Sequence, residues 1–159
     1  MRRPVTLGLL TALGIFVADR LSKYAILEIV ALPARGQISL LPFLDLTMVW
    51  NRGVSFGMLQ ADDMTGRLLL AGFAALVVCG LLIWLYRNTQ LLVSVALGGI
   101  IGGAVGNLYD RLAWGAVADF VDLHILDYHW YVFNLADAAI TLGVAALIID
   151  SFRGSPAKD

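Results

Sequence analysis

Paired carboxylates are the chemistry this chain offers. Two carboxyl groups held close together cannot both ionise cheaply, so they share a proton and divide acid and base roles. Asp137 interrupts a run that is otherwise uncharged from Tyr128 to Ile149. Asp110, Asp119, Asp122 and Asp127 crowd the segment before it, and the residues alone do not choose among those four. Asp19 and Lys23 stand four apart, a spacing at which helical side chains meet, and they read as a structural ion pair. Asn107 and Arg111 are also four apart, and Asn134 precedes Asp137 by three. Such amides and a guanidinium orient carboxylates or stabilise a developing oxyanion.

Other chemistries lack their residues. No HExxH pattern occurs, and His124 and His129 do not have a recognised metal-ligand spacing, so they read as interfacial polar residues. No serine sits on a nucleophile elbow. The single cysteine, Cys79, lies among Val and Leu and excludes an intrachain disulfide. No metal and no organic cofactor is expected.

The elements that must position these groups belong in a membrane. Of 159 residues, 60% are apolar and 14% charged, too greasy for a soluble domain of this size. Eleven basic and twelve acidic residues leave a formal charge of −1, with no basic surface for nucleic acid. A helix needs about 20 apolar residues to cross the hydrocarbon core. Four spans are predicted, at roughly 5–27, 68–86, 89–109 and 130–149, forming one membrane domain of residues 1–159. The first resembles a signal peptide, but Asp19, Arg20 and Lys23 follow its apolar stretch directly, so it is read as retained. Arg2, Arg3 and Arg87 favour cytoplasmic termini by a narrow margin.

Alternating span directions bring Asp19 and Lys23, Asn107 and Arg111, and Asn134 and Asp137 to the same membrane surface. Asn134, Asp137 and Thr141 form one helical stripe, which sets Asp137 about 10 Å beyond Trp130 at 1.5 Å per residue. Gly98, Gly102 and Gly106 repeat every four residues, as do Gly99 and Gly103, a pattern for close helix packing in lipid. In the outer loop 28–67, residues Leu44 to Trp50 alternate as a strand of a small sheet, and Asn51-Arg52-Gly53 breaks it as a turn. Val54, Phe56 and Met58 follow, so this segment is expected to close over bound substrate, hinged at Gly53. Trp130 and Tyr131 read as an interfacial anchor. A membrane carrier and a non-catalytic lipid-binding scaffold are the rival classes. A carrier needs a continuous polar path, and a scaffold needs no paired acids.

Five segments in order carry a resemblance: Asp19 with Lys23, Asn51-Arg52-Gly53-Val54-Ser55-Phe56, Gly106-Asn107-Leu108-Tyr109-Asp110-Arg111, Val117-Ala118-Asp119-Phe120 and Phe133-Asn134-Leu135-Ala136-Asp137. Together they resemble the lipoprotein signal peptidases, signal peptidase II of bacteria, over nearly the whole chain. The resemblance implies a mainly α protein of four transmembrane helices with a small extracytoplasmic β-rich loop domain between helices 1 and 2. It implies an intramembrane aspartyl protease with Asp119 and Asp137 catalytic, and with Asn51, Gly53, Asn107, Arg111 and Asn134 orienting dyad or substrate. The implied partners are a diacylglyceryl-modified prolipoprotein, cut just before its lipidated cysteine, and membrane lipids. The implied place is the bacterial cytoplasmic membrane, with the site at its outer face. A monomer is expected.

Overall fold

A computed structural model describes residues 3–53, 64–126 and 128–153. Four of its helices are long and apolar enough to cross a membrane, and the chain is a multi-pass membrane protein. Helix α1 covers Arg3–Tyr24 and continues through a turn of π-helix at Ala25–Ile29, closed by the Val30 N–H donating to the Ala25 carbonyl. A short helix α2 (Leu32–Arg35) leads to strands β1 (Gln37–Leu41) and β2 (Leu44–Asn51). Helices α3 (Met64–Arg87) and α4 (Leu91–Ala113) follow, then strands β3 (Val117–Ile125) and β4 (Tyr128–His129), and helix α5 (Leu135–Arg153).

Helix α4 is the axis of the fold. Its span is 67% buried, against 22%, 17% and 11% for the spans of α1, α3 and α5. The glycines explain how it is enclosed. A side chain at Gly98 would strike the Gly8 carbonyl of α1, and one at Gly102 the Ala12 carbonyl. The second series faces the other way, where a side chain at Gly103 would strike the Ala136 carbonyl of α5. Two glycine stripes on one helix thus seat two neighbours at backbone contact, as small-residue packing in lipid requires. Beside them Ala12, Val78, Leu85, Val93, Leu97 and Ile101 form a buried apolar cluster that adds α3. Helix α3 is apolar around its whole circumference and leaves Leu69, Phe73 and Leu76 exposed, the pattern of a lipid-facing helix.

Two expectations are corrected. The sheet is not confined to loop 28–67, because its order β1-β2-β3-β4 joins that loop to the segment between α4 and α5. All pairings are antiparallel, with Val49 opposite Asp119, Trp50 opposite Ala118 and Asn51 opposite Val117. The acidic residues of Val117–Ile125 mask this strand in the sequence, since Asp119 and Asp122 are buried on it where apolar residues are usual and no simple alternation results. The last helix also begins at Leu135, not near 130. Phe133 instead exchanges backbone hydrogen bonds with Val121, so residues 130–134 run as an edge segment beside β3. Asp137 therefore lies in the first turn of α5, and the 10 Å depth inferred from a continuous helix does not hold.

Candidate active site

Helix α5 starts on a reciprocal cap. The Asn134 Oδ1 accepts the Asp137 N–H (3.0 Å), and Asp137 Oδ2 accepts the Asn134 N–H (3.2 Å). This is the geometry of a capping box, with Asn and Asp in the roles often taken by Ser and Glu. It fixes Asp137 at the start of the helix, where the positive end of the helix dipole favours a carboxylate. The same Asn134 reaches across to the sheet, its Nδ2 donating to Asp119 Oδ1 at 2.6 Å. One asparagine thus holds both aspartates.

Amides complete the arrangement. Asn51, at the end of β2, donates to Asp119 Oδ2 (3.0 Å), and Asn107 of α4 donates to Asp137 Oδ1 (2.8 Å). Each of the four carboxylate oxygens therefore accepts one N–H. A carboxylate has about four lone-pair sites, so capacity remains for a shared proton and a water. Asp119 is fully buried. Burial and the charge of Asp137 push its pKa up to about 7, against the hydrogen bonds of Asn51 and Asn134 and the charge of Lys23. Tyr131, whose hydroxyl accepts a hydrogen bond from Asn51, is pushed up to about 12 by burial and the two aspartates.

Arg111 does not touch the aspartates by hydrogen bond. Its guanidinium donates to the Gly53 carbonyl (3.0 Å) and to the Asn107 carbonyl (3.3 Å), fastening the turn after β2 to α4. The Gly53 N–H in turn donates to Asn51 Oδ1 (3.0 Å). Val54, Phe56 and Met58, expected to meet the substrate, lie outside the described residues.

Asp19 and Lys23 do pair (3.0 Å), but as half of a larger network. Lys23 also bonds Asp110 (2.6 Å), and Arg20 bonds both Asp19 and Asp110. Asp19, Lys23 and Asp110 are all fully buried. Asp19 further accepts the Ala136 N–H (3.3 Å) and Asp110 the Ala118 N–H (3.3 Å), so the network ties α1 and α4 to α5 and β3. Sequence reasoning missed Arg20, and it left Asp110 as a candidate partner of Asp137. Their adjacency to Asp19 and Arg111 was the available signal. Asp122 lies on the far stretch of β3, bonded to Thr47 (2.9 Å) and beside His129 (3.0 Å), while His124 stands 3.4 Å from Asp45. Asp127 lies outside the described residues. Among the described aspartates, Asp119 is the one joined to Asp137 through Asn134.

A groove of about 980 Å³ opens beside Asp137. Its walls are apolar, from Phe43, Leu123, Tyr128 and Trp130 of the sheet region to Ala138 and Leu142 of α5. Asp137 is the one aspartate among its lining residues.

The fold and the site define a multi-pass membrane protein with an aspartate pair, one buried and one half-buried, at one end of its helices. A family model described as Signal peptidase (SPase) II matches residues 11–153. The lipoprotein signal peptidase of Rhodopseudomonas palustris is 46% identical over 158 residues, covering 97% of this chain and 96% of that protein. The lipoprotein signal peptidase of a Methylobacterium species is 48% identical over 149 residues, covering 94% and 90%. Two bacterial membrane enzymes solved by the in meso method superpose with TM-scores of 0.81 and 0.75. Their sequence identities are 27% and 29%, and they cover 96% and 93% of this chain and 93% and 94% of their own. The chain belongs to the signal peptidase II family.

Proposed function

We propose that this protein is an intramembrane aspartyl endopeptidase that removes the signal peptide of diacylglyceryl-modified prolipoproteins, cutting just before the lipidated cysteine. The observation that carries the reading is the Asn134 bridge, which holds Asp119 and Asp137 together with no cation among the described residues hydrogen-bonded to either. One carboxylate, ionised, takes a proton from a water as it attacks the scissile carbonyl. The other, protonated, donates to the carbonyl oxygen as it becomes tetrahedral. Roles then reverse to protonate the leaving amine. The pair titrates jointly, so the mobile proton belongs to both. Asn51, Asn107 and Asn134 hold the carboxylates without neutralising them, and Arg111 and Gly53 hold the turn beside them. No metal or organic cofactor enters the reaction.

The apolar groove suits the lipid-bearing segment of such a substrate. The protein acts as a monomer in the cytoplasmic membrane, with both termini cytoplasmic, the β-sheet extracytoplasmic and the aspartates at the outer face. Its partners are the prolipoprotein and membrane lipids, not nucleic acid. Purified protein in lipid vesicles, given a precursor with and without the diacylglyceryl group, tests the reading. Release of the signal peptide from the modified precursor alone is expected. Release from neither, or equally from both, overturns it.

A further inference from the structure

Beyond the groups that touch the aspartates, a second layer sits on the opposite face of β2. Adjacent strand residues point to opposite faces, so where Asn51 turns inward to Asp119, Trp50 turns outward. Trp50 is 42% exposed, yet its ring is held edge-on against Trp114, with centroids 5.8 Å apart at 80°. Trp114 caps the end of α4, its N–H bonded to the Asp110 carbonyl at 2.8 Å. Its ring also meets Tyr109 edge-on at 6.4 Å and lies 5.5 Å from the Arg20 guanidinium, which stands 4.7 Å over Tyr109. Arg20 is anchored in turn by the buried Asp19 and Asp110. A continuous line of contacts therefore runs from the ion network through Arg20, Trp114 and Trp50 to Asn51 and Asp119.

We infer that Trp114 is a positioning residue: through Trp50 it clamps the end of β2 so that the Asn51 amide stays on Asp119. Edge-to-face aromatic pairs and cation–aromatic contacts are directional, so the line fixes an angle as well as filling space. The strand end needs such a hold, because the Asn51–Val117 pair is the last rung between β2 and β3. Trp114 does not line the groove, so the clamp acts on the aspartates and not on substrate affinity.

The inference rests on the proposed dyad for its effect on rate, but it has a readout that does not. The ionisation of Asp119 is felt by Asp137 from α5, Lys23 from α1, Arg111 from α4 and Tyr131 beside α5. Among these fixed surroundings the Asn51 hydrogen bond favours the carboxylate, so loosening it moves the titration to higher pH. The experiment follows the Asp119 carboxyl band by infrared difference against Asp119→Asn, in the intact protein in lipid. Trp114→Leu is expected to raise the midpoint by about half a pH unit or more, in the direction of Asn51→Ala. The double variant should go no further than Asn51→Ala alone, and Trp114→Phe, which keeps an edge-on ring, should stay near the wild type. In the cleavage assay kcat of Trp114→Leu should fall about threefold to tenfold with KM unchanged. If Trp114→Leu does not fold, Trp50→Leu breaks the same contact and carries the same expectations. An unmoved midpoint in a folded variant, or a double variant that adds to Asn51→Ala, overturns the clamp. Wild-type cleavage by Asp119→Asn would instead overturn the dyad and leave the titration result standing.

Discussion

Two pairs of aspartates lie side by side in this molecule, and they are held by opposite means. Asp19 and Asp110 face two cations, Lys23 and Arg20, each bonded to both acids. Among the described residues, the hydrogen bonds to Asp119 and Asp137 come from amides, those of Asn51, Asn107, Asn134 and the backbone. A cation cancels a carboxylate's charge and keeps it ionised. An amide solvates the charge without cancelling it, so the second carboxylate still repels the first and a proton is retained. Residue type is the same in both places, and on the proposed function the partner decides whether the acid is a strut or a reagent. Asn107 sits between the two regions, its Oδ1 accepting from Lys23 (3.3 Å) and Asn134 (3.2 Å) while its Nδ2 serves Asp137. The strut thereby fixes which end of an amide the reagent sees.

The difference is broken most severely at the reagent pair. Asp119→Asn and Asp137→Asn should each lower cleavage by about a thousandfold or more, and the double variant should be little worse, because groups acting as a unit are not additive. A rate assay on the folded variants checks this. The strut pair should respond in stability instead. Lys23→Met leaves Asp19 and Asp110 with Arg20 alone, and removing one partner of a buried pair costs roughly 3–5 kcal/mol. Thermal melting in lipid should show the loss. Removing Asp19 and Lys23 together is not expected to be neutral, since Asp19 also serves Arg20 and the Ala136 N–H.

At the reagent pair the stability effect reverses sign. Asp119 keeps its proton in the folded state up to about pH 7, whereas the unfolded chain loses it near the ordinary aspartate value of 3.8. Folding therefore binds a proton between those values, and stability falls as pH rises from about 4 to about 7, then levels off. Asp119→Asn escapes that fall. Its unfolding free energy should gain on the wild type across this window and hold the gain above it, by at most about 4 kcal/mol at roughly 1.4 kcal/mol per pH unit, as melting in lipid against pH would show. The gain should be smaller than that, because an amide nitrogen at this site faces an N–H of Asn51 or Asn134. No gain at pH 8 would place a cation beside the pair after all. The smallest effect is expected at the turn. Arg111→Lys loses the forked contact to the Gly53 and Asn107 carbonyls and should slow cleavage about tenfold with little change in melting.

Much of this was legible in the residues. Uncharged runs mark four spans and the glycine spacing marks close helix packing, because lipid makes hydropathy and small-residue stripes speak directly. The convergence of Asn107, Asn134 and Asp137 at one end followed from counting spans. The sheet was half legible: Leu44 to Trp50 alternates, but β3 buries Asp119 and Asp122 where alternation expects apolar side chains. The choice of Asp119 over Asp110 or Asp122 was not legible from spacing, since it depends on β3 pairing with β2 and on the reach of Asn134. The start of α5 was misplaced because an uncharged edge strand and an uncharged helix look alike in hydropathy. The link from Arg20 to Asp110 is invisible in the sequence because ninety residues separate them, although the adjacency of Arg20 to Asp19 is plain.

The central claim is that an amide-held carboxylate pair does its chemistry with one proton between two acids. The rate of signal-peptide release from a diacylglyceryl-modified precursor, followed against pH in a protein that stays folded, tests it most directly. The account predicts a rate that falls about tenfold per pH unit above about 7, as Asp119 gives up the proton it holds against burial and Asp137. A rate that stays level or climbs through pH 9 would contradict it.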